Sequence, residues 1–219
     1  IVRLGGPVAF SADFDHDGDV DLSDYELWSD QFENETGGVK YVWNCENRLV
    51  EVLPLAPAVG VDQKVEFAYD AWGRRVRKQV YDWDGAAWSG PVADTKFVYD
   101  GWRVIMELDG LDNDTVLRKH TWGLDLSGSL EGAGGIGGLL GTQDTAGTPG
   151  TTADDRTFIY FYDANGNVGQ VMETTSGAAG TVAAHYEYAP YGQRLNAPAP
   201  GEYDQPYRFA TKWFDEETG

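Results

Sequence analysis

Five stretches of this 219-residue chain are versions of one short pattern. An aromatic, any residue and a second aromatic precede a polar turn that usually ends in Gly or Asn, and a basic or amide residue follows. The copies are Tyr41-Val-Trp43-Asn-Cys-Glu-Asn47-Arg48, Phe67-Ala-Tyr69-Asp-Ala-Trp-Gly73-Arg74, Phe97-Val-Tyr99-Asp-Gly-Trp-Arg103, Tyr160-Phe-Tyr162-Asp-Ala-Asn-Gly166-Asn167 and Tyr186-Glu-Tyr188-Ala-Pro-Tyr-Gly192-Gln193. A self-repeating pattern constrains the fold more than any single residue does. Aromatics two apart share one face of a strand, and Asp, Asn and Gly supply the reversal. Each copy is therefore expected to be a β-hairpin.

Composition agrees. Aromatic residues make up 13% of the chain and glycines number 28, which favours aromatic-rich strands joined by tight turns over a helical bundle. A second connection, Asp82-Trp83-Asp84-Gly85 to Trp88, carries an Asp-Gly hairpin signal. The stretch 128–152 is rich in Gly, Ala and Thr and reads as a long loop with an apolar tip at Ile136, Leu139 and Leu140. Strand alternation resumes from Thr157 to Leu195, and a last strand is expected at Pro206–Phe209. The single cysteine, Cys45, cannot form an intrachain disulfide and is expected to be a buried or half-buried thiol.

Residues 1–38 differ from the rest. Asp13-Phe-Asp15-His-Asp17-Gly18-Asp19-Val20-Asp21-Leu-Ser-Asp24 fits a twelve-residue calcium loop, with carboxylates at positions 1, 3, 5, 9 and 12 and glycine at 6. Calcium is a hard cation that takes six to eight oxygens, and six like charges this close repel one another unless a cation neutralises them. Asp13, Asp15, Asp17, Asp21 and Asp24 are the expected side-chain ligands, with Asp19 contributing its carbonyl. Asp at position 12, in place of Glu, shortens the reach. Tyr25, Trp28 and Phe32 then fall on one face of a helix expected over Ser23–Phe32. A loop with an exiting helix and no entering one resembles the dockerin form of the motif. One copy is visible, whereas dockerins carry two.

Other chemistry is not indicated. The 36 acids outnumber the 16 bases to give a formal charge of −20, which opposes binding to nucleic acid or anionic membranes. No apolar run is long enough to span a bilayer. Gly132-Ala-Gly134-Gly-Ile-Gly137 formally fits a dinucleotide fingerprint, but the glycines and proline after it cannot build the required helix. His16, His120 and His185 have no zinc-ligand spacing. His120 and His185 are expected in ordinary strand roles. No nucleophile motif is present, and the repeated aromatics read as packing residues. A non-enzymatic chain is expected. Its rivals are a calcium-dependent binding or adhesion module, and a glycosidase or self-processing protease fragment.

The Tyr-Asp-x-x-Gly-Arg style copies resemble the YD repeats of Rhs (rearrangement hotspot) proteins, which also occur in toxin-complex proteins and teneurins. Val116–Leu140, Tyr162–Asn167, His185–Gly192 and Phe209–Gly219 are similar to successive parts of the Rhs repeat-associated core. The resemblance implies a mainly β fold: antiparallel hairpin repeats forming part of a twisted shell over residues 39–219, preceded by the calcium segment 1–38. It also implies a chain that is part of something longer. The expected partners are neighbouring shell segments or an enclosed C-terminal polypeptide, with a cell-surface protein or a glycan as alternatives. Self-association through strand edges is expected, as is a secreted or cell-surface location.

Overall fold

The computed structural model describes residues 38–175 and 177–218. Eleven strands lie between residues 39 and 185: β1 (Val39–Trp43), β2 (Leu49–Pro54), β3 (Gln63–Tyr69), β4 (Arg75–Asp82), β5 (Ala93–Asp100), β6 (Arg103–Asp109), β7 (Thr115–Trp122), β8 (Leu139–Asp144), β9 (Arg156–Tyr162), β10 (Val168–Glu173) and β11 (Val182–His185). They form one sheet in strict chain order, and every pairing is antiparallel. The mainly β, hairpin-by-hairpin architecture is as expected. The calcium loop and its helix lie outside the described residues.

The turns explain the repeat. In four of them the first residue's N–H donates to the carbonyl of the fifth, and the fourth residue's N–H donates back to the first: Asn44–Arg48, Asp70–Arg74, Asp163–Asn167 and Ala189–Gln193. The fourth residue has positive φ in every case, at Asn47, Gly73, Gly166 and Gly192. Glycine and asparagine tolerate that conformation best. The opening side chain completes the turn. Asp70 Oδ1 accepts from the N–H groups of Trp72 and Arg74, as Asp163 Oδ1 does from Asn165 and Asn167. The Asp-Gly connection also forms as expected, with a Trp83–Trp88 bridge and Asp84 N–H bonded to the Ala87 carbonyl.

In three of the five copies the second aromatic, and outside them Trp122, ties its strand to the preceding one. The Tyr69 hydroxyl donates to the Leu49 carbonyl at 2.7 Å, the Tyr99 hydroxyl to the Arg75 carbonyl at 2.7 Å, and Trp122 Nε1 to the Val104 carbonyl at 2.7 Å. Tyr162 makes the same bond to Leu139. The basic residue after each turn reaches forward. Arg48 Nη1 donates to the Asp70 carbonyl at 2.8 Å and Arg74 Nη1 to the Gly101 carbonyl at 2.6 Å. Aromatic and arginine thus carry register from hairpin to hairpin.

Four expectations need correction. The 128–152 stretch is not all loop: Leu139 and Leu140 open β8, and Leu139 is fully buried. Gly141 makes this strand possible, because a Cβ there would stand 2.7 Å from the Phe158 carbonyl oxygen on β9. The final strand at Pro206–Phe209 is replaced by an isolated Tyr207–Trp213 bridge and a single 3-10 turn at Phe209–Thr211. Likewise, β structure after β11 is reduced to isolated bridges. Cys45 is exposed, because it sits at the tip of the β1–β2 turn, where the Asn44 side chain accepts from the backbone N–H groups of Glu46 and Arg48.

Candidate functional site beneath the C-terminal strap

After β11 the chain turns back and crosses one face of the sheet. Tyr203 stacks on Phe158 of β9 with ring centroids 3.8 Å apart. Tyr207 meets His120 and Trp122 of β7 edge-on at 5.2 and 5.5 Å, and Trp213 packs against Phe97 of β5 at 4.9 Å. Asp215 then pairs with Arg75 of β4 at 2.6 Å, and Glu217 pairs with Lys78 of β4 at 2.6 Å. Glu216, Glu217 and Thr218 end in a cleft beside Val39, Val52 and Gln63. Residues 203–218 therefore form a strap spanning most of the sheet. Its aromatics join Leu139, Phe158, Val168 and Val171 in the main core.

Two loops clamp the strap where its backbone is least comfortable. Ala210 and Thr211 have φ of 51° and 52°, a left-handed conformation that β-branched residues rarely adopt. Thr211 Oγ1 accepts from Gly137 N–H and donates to the Gly166 carbonyl, each at 2.8 Å. Ala210 N–H donates to Asn167 Oδ1 at 2.8 Å, and Lys212 Nζ to the Gly134 carbonyl at 2.7 Å. The glycine loop that provides Gly134 and Gly137 is built around Asp125. Its carboxylate accepts from the Ser127 hydroxyl at 2.6 Å and from the N–H groups of Ser127, Ala133 and Gly135. The Ser127 hydroxyl, more than the backbone amides, holds the Asp125 carboxyl down at about 2. Amides that a phosphate would need are spent on this carboxylate and on Thr211, so the formal fingerprint is a structural loop.

A polar seam lies under the strap. Glu107, His120, Thr142 and Tyr160, one from each of β6 to β9, are all buried. His120 Nε2 donates to Glu107 Oε1 at 2.8 Å, His120 Nδ1 meets Thr142 Oγ1 at 2.9 Å, and the Tyr160 hydroxyl is 3.0 Å from Thr142 Oγ1. Arg118 Nη1 closes on Glu107 Oε2 at 3.2 Å, and Arg118 Nη2 reaches the Asp204 carbonyl of the strap at 3.1 Å. Burial pushes the Tyr160 phenol well up, and Tyr203, whose hydroxyl donates to Asp144 at 2.9 Å, shifts the same way for the same reason. A carboxylate, an imidazole and a hydroxyl in series have the order of a nucleophilic relay. Here the hydroxyl is 1% exposed and engaged on both sides, so the seam joins four strands to the strap and gives no substrate a path.

His120 is in a strand, as expected, though sequence reasoning missed its seam. The only signal was that Glu107 and His120 stand on adjacent strands, which becomes visible once register is known. His185 is an exposed strand-end residue. Asp13, Asp15, Asp17, Asp19, Asp21 and Asp24 lie outside the described residues. Among the described residues no cluster of three or more His, Cys, Asp or Glu is placed to hold a metal.

No family model matches the chain, and no curated protein does either. Solved structures do. The crystal structure of TcdB2-TccC3 matches with a TM-score of 0.51 at 14% identity over 81% of this chain, and that of TcdB2-TccC3-TEV with 0.51 at 15% over 82%. The crystal structure of TcdB2-TccC3-Cdc42 matches with 0.53 at 16% over 81%. This chain spans 8% of the length of each of those chains. Identity this low shows a shared fold and nothing finer. The likeness supports the sheet of antiparallel hairpins that the repeats lead to.

Proposed function

We propose that this chain is a wall segment of an Rhs-type β-shell, without enzymatic activity of its own, that carries one calcium-binding loop at its N-terminal end. The observation that carries the reading is the strap. A sheet that grows hairpin by hairpin has two large faces. Here one is closed by the chain's own aromatics and ion pairs, as suits a wall with a sealed side. The fold likeness to the TcdB2-TccC3 structures supports the same reading. Neighbouring wall segments, or a polypeptide enclosed by the shell, are the partners it would serve, and the setting is secreted or on the cell surface. Residues Asp13, Asp15, Asp17, Asp19, Asp21 and Asp24 would hold Ca2+. Cryo-electron microscopy of any longer polypeptide carrying this segment tests the wall. A hollow particle with residues 39–218 in its shell is expected. A sheet solvated on both faces, or a solid fibre, would contradict the proposal.

A further inference from the structure

Two tryptophans at alternate turns of the sheet are left in solvent. Trp72, in the β3–β4 turn, is 71% exposed, and Trp102, in the β5–β6 turn, is 63% exposed. Indole is the side chain with most to gain from burial, so leaving two in water needs a reason. Neither is loose. Trp72 N–H is bonded to Asp70, and the Arg74 guanidinium lies 4.5 Å from the centre of its ring, covering one face. The same Arg74 donates to the carbonyl of Gly101, next to Trp102, whose own N–H is held by Glu131 at 2.8 Å. The backbone at both tips is thus tied to one edge, and the Trp72 ring is held against Arg74. The two hairpins are two strands apart, a separation of about 10 Å.

Beyond Trp102 the edge opens into a cleft of about 160 Å³ walled by Phe97, Trp122, Tyr207 and Trp213. The Tyr207 hydroxyl is buried and has no hydrogen-bond partner, although the ring is only 4% exposed. The charges beside the tryptophans cancel. Arg74 pairs with Asp70, and Arg103 pairs with Asp100 and Glu131. Lys212 at the cleft balances the remaining acid.

We infer that Trp72, Trp102 and the adjoining cleft form a binding site for a neutral, extended polysaccharide. The C–H face of a pyranose packs on the negative face of an indole, and indoles spaced by two strands suit alternate rings of an extended β-linked glycan. Ion-paired arginine and carboxylate groups offer donors and acceptors to the hydroxyls between those rings. The cancelled local charge and the net charge of −20 both disfavour a polyanion. This site is independent of the shell reading and stands or falls separately from it.

The test is an array of neutral and acidic oligosaccharides probed with the intact chain, followed by calorimetry on the best neutral hexasaccharide. Binding to at least one neutral β-linked glycan is expected, with Trp72→Ala and Trp102→Ala each weakening it about tenfold or more. Trp72→Tyr should keep most of the affinity, because a smaller ring still stacks. Both positions are turn tips, so the melting temperature should barely move, and circular dichroism verifies that. Recognition of acidic glycans alone, of no glycan, or of a neutral glycan equally well by the Trp72→Ala/Trp102→Ala double variant would overturn the site.

Discussion

At the scale of single residues, the fold separates tyrosines whose hydroxyls hold strands together from Tyr188 and Tyr207, whose buried hydroxyls have no partner. Tyr69 donates to the Leu49 carbonyl, so Tyr69→Phe strands a half-buried acceptor and should cost about 1 kcal/mol. The Tyr207 hydroxyl has no partner, so Tyr207→Phe should be neutral or stabilising in the same urea titration. Ala210 sits at φ 51° in the strap, a conformation that disfavours any residue with a Cβ, and Ala210→Gly should therefore stabilise by about 1 kcal/mol. Asp125 gives a pH signature. Its folded value near 2 lies below the ordinary aspartate value of about 3.9, so its contribution is complete above that value and is lost as pH falls towards 2. Urea midpoints measured from pH 5 to pH 2 should fall more steeply for the wild type than for Asp125→Asn. Parallel curves would show that the loop does not depend on this carboxylate.

At the scale of elements, the sequence was most legible where contacts are local. Phe67 and Tyr69 two apart, then Asp70 and Gly73, specify strand and turn from a span of a few residues, and the structure has both. Two elements escaped for physical reasons. β8 hides in a glycine-rich stretch because Gly141 is selected for close approach to β9, which removes the usual β-branched signal. The strap escaped because its partners are remote: Arg75 and Asp215 are 140 residues apart, and nothing in the intervening sequence links them. The seam was illegible on the same grounds, since Glu107, His120, Thr142 and Tyr160 converge only when four strands are in register. The strap's own dependence on aromatic packing is testable. Trp213→Ala removes the ring between Phe97 and Tyr207 and should destabilise by about 3 kcal/mol. Hydrogen exchange should then quicken over residues 205–217 far more than in β1–β3. Uniform acceleration would mean that the strap and sheet unfold as one unit.

At the scale of the whole molecule, two opposing terms meet. The sheet is open: β1 pairs only with β2 among the described residues, and Val39, Tyr41 and Trp43 on it are exposed. An uncovered strand edge recruits further strands, whereas a charge of −20 keeps copies apart. Six of the 36 acids lie in the loop at residues 13–24, so calcium bound there should shift the balance towards association. Sedimentation velocity over a range of concentrations, in calcium and in chelator, tests the central claim of an open wall segment most directly. The expected result is concentration-dependent association that strengthens in calcium and weakens with salt-free chelator. A strictly monomeric, cooperatively folding species in both conditions would mean that the sheet is closed within this chain and is not a wall open to neighbours.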